Sequence, residues 1–437
     1  MSIRRYASSP VLWIALGLAL LTHAIYFALD HEHYGADTPS YLIPADNLLH
    51  GQGFVNGLHH PELLRTPGYP LLLTIFRVAP LKIEHLILVQ HLLCVLLAVA
   101  VTAIALRITG SRLAAWVTAV VLSLDLATLR VANLLLTEVL FTVLISLVCW
   151  ILYRVTAKPA GNVLACVAAG LLGGYAVLVR PVGILCFLPL SFCLFLALKQ
   201  RALRPVLVFV VFFLLLPMLW ASRNFVEGGY FGISAIGAED ILYYRAAGAL
   251  AIQQPGSYTA NILKINSALI QQTCPDLERK YQRDCSQITD AQQAAYASRK
   301  GISIIRKYPL SYLHSTAVSL AYLIFGGGAE ALSKISNVSP RISECIVLLF
   351  TVPEACLALI GCWYWYRNDR ILCWFLVVTI AYFLVISAGA EAYSRFKVPI
   401  MPMYALLIGG GVVKIVQWIQ EARTSRLSSE NPIAVRP

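Results

Sequence analysis

The chain is poor in charge. Of its 437 residues only 13% are Asp, Glu, Lys or Arg, where a soluble globular domain carries about 25%. That shortage excludes an ordinary water-soluble fold, and the 59% hydrophobic content and mean hydropathy of +0.72 say what replaces it. Other features are missing too. No glycine-rich nucleotide-binding fingerprint stands out. No small-x-small cleavage site follows the first apolar run, Val11 to Leu29, which is long enough to span and reads as a retained first span. No internal repeat and no strong metal-binding spacing is evident. Acidic residues are scarce beside basic ones, 22 against 34, a net charge of +12. In a chain this apolar that excess reads as basic cytoplasmic loops, and a nucleic-acid partner is not expected.

What is present is a series of apolar runs. Runs of about 18 residues or more signal membrane helices, because a helix satisfies its own backbone hydrogen bonds in lipid. The runs predict an all-α polytopic membrane protein of about ten spans, near 11–29, 83–106, 113–129, 136–153, 162–179, 183–198, 205–222, 343–365, 371–388 and 399–418. Arg4 and Arg5, Arg107 and Arg112, Arg154 and Lys158, and Lys199, Arg201 and Arg204 recur at alternate turns, which the positive-inside rule places in the cytoplasm. The first loop, the turn near Arg130 and the segment Arg223 to Pro309 then face outward, from a cytoplasmic (inner) membrane. Leu310 to Phe325 either crosses or dips into the outer face; Lys414, Arg423 and Arg426 favour a cytoplasmic C-terminus and therefore ten spans. The expected organisation is an N-terminal membrane module, 1–222, with a functional first loop at 30–70; an extracytoplasmic cap, 223–309, with helices near Asp240–Ile252 and Asp290–Arg306; a C-terminal membrane module, 310–420; and a disordered cytoplasmic tail, 421–437.

The first loop concentrates polar chemistry. Residues 30–70 hold Asp30, Glu32, Asp37, Asp46 and Glu62, and also His31, His33, His50, His59 and His60, five of the nine histidines. Asp37, in GADTPSYL, is placed to act as a general base at the membrane surface, or more simply to cap the helix that follows. Glu138, in LLLTEVLF, opens a span, and ionisable groups at membrane depth are costly and usually functional. Asp125 has Arg130 as a candidate partner, and Glu354 within a span is unexplained. Arg65 (RTPGYPLLL), Arg180 (LVRPVGI), and Arg395 with Lys397 (SRFKVPIMP) are basic positions at outer interface depth. Arginine forks bind phosphate, so together they suit one anionic ligand; taken singly, each is an ordinary interfacial cation. His59 and Glu62 are weak metal candidates by ligand type alone. Nine of the eleven cysteines lie in apolar stretches and read as small core residues. Cys274 and Cys285 share a polar loop and can bond in an oxidising compartment.

Three features in order resemble the GT-C superfamily of integral membrane glycosyltransferases, nearest the bacterial group of protein O-mannosyltransferases and lipid A aminoarabinose transferases. They are the first-loop acid Asp37 followed by Arg65–Leu73, the TEVLF start at Glu138, and LVRP at Arg180–Pro181. A late RFKVPIMP, Arg395 to Pro402, follows an outward soluble segment. The resemblance implies a sugar donor carried on polyprenyl phosphate and a lipid, glycan or protein acceptor. It makes Asp37 the acid that activates an acceptor hydroxyl and Glu138 a second acid. Arg65, Arg180 and Arg395 would hold the lipid phosphate, with Tyr69 and Lys397 joining the substrate-binding set. No cofactor is required, and a divalent metal is compatible. The mannosyltransferases pair two acids in the first loop, whereas Thr38 follows Asp37 here, which leaves sugar and acceptor open. A transporter or flippase of an anionic lipid-linked substrate is the competing expectation, and it would want deep charges and discontinuous helices.

Overall fold

A computed structural model describes residues 9–79, 81–157, 162–389 and 394–430, with side chains as far as 425. Arg4, Arg5 and Lys158 lie outside the described residues, as do 431–437. The described chain consists of helices joined by loops, with one isolated β-bridge between Val55 and Pro61.

Among the described residues eight helices are long and apolar enough to cross a membrane. They are α1 (Pro10–Leu29), α4 (Ile83–Thr109), α7 (Glu138–Thr156), the 3-10 turn Pro181–Cys186 with α9 (Phe187–Leu198), α10 (Leu203–Gly228), α17 (Pro340–Asn368), α18 (Arg370–Ser387), and the 3-10 segment Ser394–Ile400 running into α19 (Met401–Glu430). α5 (Arg112–Leu124) and α6 (Leu126–Ala132) form a further pair bent by 49°. The break falls at Asp125, whose carboxylate caps α6 by accepting from the Thr128 backbone at 2.9 Å and from its hydroxyl. The expected Asp125–Arg130 pair is therefore not formed; Arg130 binds Glu330 at 3.2 Å.

Which helices cross follows from their ends. α8 (Val163–Val179) is short, but Arg180 at its end pairs with Glu138 at the start of α7, so α8 returns to the face that α7 left. α15 (Pro309–Phe325) and α16 (Ala329–Ser336) meet at 53°. Tyr312 near the start of α15 receives Arg245 of the segment after α10. Lys334 near the end of α16 pairs with Asp30 and Glu32 just beyond α1. This bent pair enters and leaves on one face. With α5–α6 and α8 added to the eight long helices, ten crossings result, and Leu310–Phe325 is not among them.

On the face where α1 ends lie two short helices, α2 (Thr38–Leu49) and α3 (Gly68–Val78), and a helical cap. The cap comprises α11 (Ile236–Glu239), a π-helix (Asp240–Ala246), α12 (Ala247–Ile252), α13 (Tyr258–Tyr281) and α14 (Asp290–Lys307). It has a small apolar core of its own, including Leu242, Ala247, Ile265, Leu269 and Ala297, into which Leu63 of the first loop inserts. Cys274 and Cys285 are joined, with Cα atoms 5.5 Å apart. Two expectations change. α13 fills a stretch to which the sequence assigned no element, and the tail expected to be disordered from 421 is helical as far as Glu430.

Candidate functional site: a carboxylate–arginine centre

The first loop is fastened before it can present anything. Leu135 donates its backbone N–H to the His33 carbonyl at 2.9 Å, and the Thr38 hydroxyl donates to the Leu135 carbonyl at 3.1 Å. Buried Asn133 donates to the Asp30 carbonyl at 2.7 Å. These bonds fix the loop against residues 133–136, immediately before Glu138. From the other side, Arg223 of α10 donates to the carbonyls of Phe54 (2.7 Å) and Glu62 (3.0 Å). Gly68 opens α3 against the end of α8, where an added Cβ would lie 2.7 Å from the Leu178 and Val179 backbone. Only glycine allows that approach, and it sets the Arg65 turn beside Arg180.

Asp37 stands at the N-cap position of α2 but makes no side-chain cap bond. Its two oxygens go to two arginines instead: Oδ1 accepts from Arg65 at 2.9 Å and Oδ2 from Arg395 at 2.7 Å. Burial raises the proton affinity of this carboxyl, but Arg395 and Arg65 outweigh it and hold the group below its ordinary value. Arg65 also donates to Ser40 Oγ at 2.8 Å and Tyr41 Oη at 3.1 Å, with its guanidinium 4.6 Å from the centre of the Tyr41 ring.

Glu138 is 1% exposed. Its Oε1 lies 2.9 Å from Arg180 and 3.8 Å from Arg395. Arg180 also donates to Thr137 Oγ1 at 2.8 Å. Phe396 is flanked by Arg180 and Arg395, each about 5 Å from its ring centre. Arg395 thus joins the two acids, and residues from four separate stretches meet in one centre: Asp37 and Arg65, Glu138, Arg180, and Arg395.

Two of the sequence candidates lie elsewhere in this arrangement. Tyr69 is fully buried; its ring meets Tyr41 edge-on at 5.5 Å, and its hydroxyl donates to Gln90 at 2.8 Å. It supports the floor under Tyr41 and Arg65. Lys397 is 3% exposed and turns away from Asp37, toward the Ile324 carbonyl (3.4 Å), Glu354 (4.0 Å) and the Tyr404 ring. This gives the intramembrane Glu354 its partner. His59 is exposed on a left-handed backbone, and Glu62 Oε1 accepts from the backbone of Leu64 and Arg65 at 2.7 and 2.9 Å. Among the described residues no three His, Cys, Asp or Glu side chains gather as a metal site. The donor set of the centre, carboxylates already held by guanidiniums, suits an anion better than a divalent cation.

The structure adds two acids to the neighbourhood. The Ser234 hydroxyl donates to the Leu64 carbonyl, and Ala235 N–H donates to Leu63 O at 2.8 Å. These bonds bring Glu239 and Asp240 over the Arg65 turn. Burial is the main influence on both, pushing Asp240 up to about 6 and Glu239 up to about 7. Arg245, Arg65 and Arg180 draw Asp240 down, and Asp37 pushes it up. Adjacent acids in an apolar setting, the ED of GAEDILYY, were the available signal.

Among the spans, an apolar cavity of about 270 Å³ opens between α4, α7, α18 and α19, lined by Leu97, Val101, Trp150, Phe375 and Leu406 among others.

The fold and this centre describe a polytopic, all-helical membrane protein with an arginine-clamped pair of acids at one membrane face. No protein-family model matches the chain, and no curated protein sequence matches it. Among solved structures it is similar to the archaeal oligosaccharyltransferase AglB from Archaeoglobus fulgidus, in complex with an inhibitory peptide and a dolichol-phosphate. That overlap covers 100% of this chain and 53% of AglB, at 13% identity and a TM-score of 0.49. The chain therefore spans about half the length of that protein. It is also similar to ArnT from Cupriavidus metallidurans bound to undecaprenyl phosphate, over 92% of this chain and 78% of that one, at 14% identity and a TM-score of 0.38. At these scores it is the site's own geometry that bears on chemistry.

Proposed function

We propose that the chain is a GT-C-type glycosyltransferase that moves a sugar from a polyprenyl-phosphate-linked donor to an acceptor hydroxyl or phosphate at the outer face of the cytoplasmic membrane. The observation that carries this reading is the convergence of Arg65, Arg180 and Arg395 on Asp37 and Glu138 at one end of the spans. A lipid-linked donor has an anionic head and a long apolar tail. Guanidinium forks suit the head, and spans with an apolar cavity among them suit the tail. As the bond from sugar to phosphate breaks, negative charge grows on the departing phosphate, and fixed cations at that point lower the barrier. Asp37 and Glu138 hold those cations in place before substrate arrives, so little reorganisation is left for the reaction itself. No step in this scheme draws on a metal. The joined Cys274–Cys285 pair supports an outward, oxidising location for the cap.

A second reading, transport of an anionic lipid-linked substrate, has one observation in its favour: the buried Lys397–Glu354 pair beside the bent α15–α16. One assay separates the two. Radiolabelled mannose or aminoarabinose on undecaprenyl phosphate is supplied to proteoliposomes with lipid and protein acceptors, alongside Asp37→Asn. Transfer by the wild-type chain that disappears in a folded variant is the expected result. Lipid movement across the bilayer without transfer would replace the reading with transport.

A further inference from the structure

The apolar cavity of about 270 Å³ lies away from the carboxylate–arginine centre. On α7 its lining runs from Ser146 to Tyr153, while Glu138 opens the same helix. At 1.5 Å per residue those two positions are about 12 and about 22 Å from Glu138 along the axis. On α18 the lining takes Leu372, Phe375 and Leu376, from the first two turns. The other end of α18 is on the side of the centre, because Arg245 of the cap reaches the Ile386 carbonyl there at 2.6 Å. The cavity therefore occupies the half of the spans farther from the centre.

Its lining is almost wholly hydrocarbon. Tyr153 donates its hydroxyl to Asp369 at 2.6 Å, and Cys149 Sγ lies 3.8 Å from Thr379 Oγ1. Among the described residues that leaves Ser146 as the one lining hydroxyl without a partner. A water needs two to four polar partners to stay in such a space, and one hydroxyl does not supply them. Left empty, the lining would forfeit its dispersion contacts, whereas an apolar cavity of about half this volume takes up a benzene-sized hydrocarbon. The lining thus suits a hydrocarbon chain. The tail of the proposed donor is one such chain, but it would enter from the centre and needs no cation at the far end.

The far end is basic. The Tyr153–Asp369 bond joins the end of α7 to the start of α18, and the next residue in each case is an arginine, Arg154 and Arg370. Both are exposed. The Arg154 guanidinium lies 6.0 Å from the centre of the Trp150 ring, which belongs to the lining, and that of Arg370 lies 5.1 Å from the Tyr366 ring centre. Asp369, the acid beside them, is already used: Oδ2 accepts from Tyr153, and Oδ1 accepts from the Leu372 backbone at 2.9 Å. An apolar slot that ends at two guanidiniums matches an amphiphile with a phosphate head.

We infer that this cavity is a lipid site: it holds an acyl chain of an anionic phospholipid from the leaflet opposite the centre, with the headgroup phosphate at Arg154 and Arg370. The chain fills the space between α7, which begins at Glu138, and α19, into which the segment bearing Arg395 runs. It thereby sets the spacing of two spans that carry members of the centre. This lipid is neither donor nor acceptor in the transfer, and its site stands whether or not the chain is a transferase.

The test is photolabelling in phosphatidylcholine proteoliposomes that contain either phosphatidylglycerol or phosphatidylcholine with a diazirine on one acyl chain. Labelled peptides are mapped by mass spectrometry, with Leu207 and Val211, exposed on α10, as the reference for bulk lipid. Wild type is expected to take the phosphatidylglycerol label on peptides containing 97–104, 146–153 and 372–376, above the reference and above the phosphatidylcholine label. An arginine near the membrane surface favours an anionic lipid by about fivefold, so Arg154→Gln with Arg370→Gln should lower that label by about 30-fold. This variant changes only exposed positions, which keeps the test valid should the cavity-filling variant fail to fold. Ala100→Phe, which puts a ring into the cavity, should abolish the label. Added undecaprenyl phosphate should leave it unchanged. Equal labelling by the two lipids, a cavity label no stronger than the reference, or an arginine variant that labels as wild type does overturns the inference. Displacement by undecaprenyl phosphate also overturns it, since that would give the cavity to the donor's tail. Sugar transfer is read separately in the same vesicles, so its absence would remove the transferase reading and leave the lipid site in place.

Discussion

Replacing Glu138 with Gln tests whether the centre is held by charge or only by shape. The side chain keeps its size and one carbonyl oxygen, but the negative charge goes. Glu138 is 1% exposed, so its pair with Arg180 at 2.9 Å is poorly screened. In the variant Arg180 retains Thr137 at 2.8 Å, and Arg395 loses an anion at 3.8 Å. Breaking a buried pair from one side costs about 3–5 kcal/mol. The lower end applies here, about 3 kcal/mol, because Thr137 remains and Arg180 is slightly exposed. Arg180→Gln leaves Glu138 with the Thr137 hydroxyl at 3.4 Å and Arg395 at 3.8 Å, and costs a similar amount. The double variant buries neither charge without its partner. Its loss should fall short of the sum of the singles by about 2 kcal/mol, well outside the additivity limit of about 0.5 kcal/mol. Equilibrium unfolding in mixed detergent micelles measures all three losses. Additive losses would refute the claim that these groups act as one electrostatic unit, and with it the argument that the arginines are placed before substrate binds.

Two further outcomes follow from the same centre. Gly68→Ala should lower both thermal stability and transfer, since its Cβ would meet fixed backbone of Leu178 and Val179 at 2.7 Å, whereas Gly237→Ala, with nothing within 4 Å, should change neither; equal effects in a melting and transfer assay would count against the close α3–α8 approach. The proton affinity of Asp37 is depressed in the folded state, Arg395 and Arg65 outweighing the opposing effect of burial, so its stabilising share is full above the ordinary carboxylate range and is lost as pH falls through the lower folded value. The stability gap between wild type and Asp37→Asn should therefore narrow on acidification from neutrality, and a gap that widens would contradict the double clamp.

The parts that were legible in the sequence are those where charge stands out against lipid. Asp37, Arg65, Glu138, Arg180 and Arg395 are conspicuous because an ionisable group in an apolar chain is costly unless it has a use. What the sequence could not show is direction. Lys397 was grouped with Arg395 because the two lie two residues apart at the same mouth. The segment Ser394–Ile400 is a 3-10 helix, with three residues per turn, so positions two apart point to different sides. One meets Asp37 and the other Glu354. Tyr69 sits within a motif that reads as binding, yet its partner is Gln90, a polar residue inside the α4 span. Asp125 was matched to the nearest arginine, but the chain breaks at Asp125 and its carboxylate is used as a cap. α13 was overlooked because its 24 residues are largely polar and its apolar stripe is narrow. Leu310–Phe325 is apolar enough to cross, and only its end contacts, Tyr312 with Arg245 and Lys334 with Asp30, show that it does not.

The arrangement of acids explains why one site needs more than one. Asp37, which organises two arginines, stays charged because that pairing depresses its proton affinity. A carboxylate that titrates near neutral pH needs the opposite, a proton affinity raised by its surroundings. The same group cannot satisfy both demands. This chain separates them in space. Asp37 and Glu138 are joined to arginines, while Asp240 and Glu239 come from the cap, within the electrostatic influence of the arginines and, among the described residues, without a direct pair. The cap then does more than cover the membrane module. Through the bonds of Ser234 and Ala235 to Leu64 and Leu63, it is fastened to the same turn that carries Arg65. Any movement of the cap relative to that turn would change the influence of Arg65 and Asp37 on the proton affinity of Asp240.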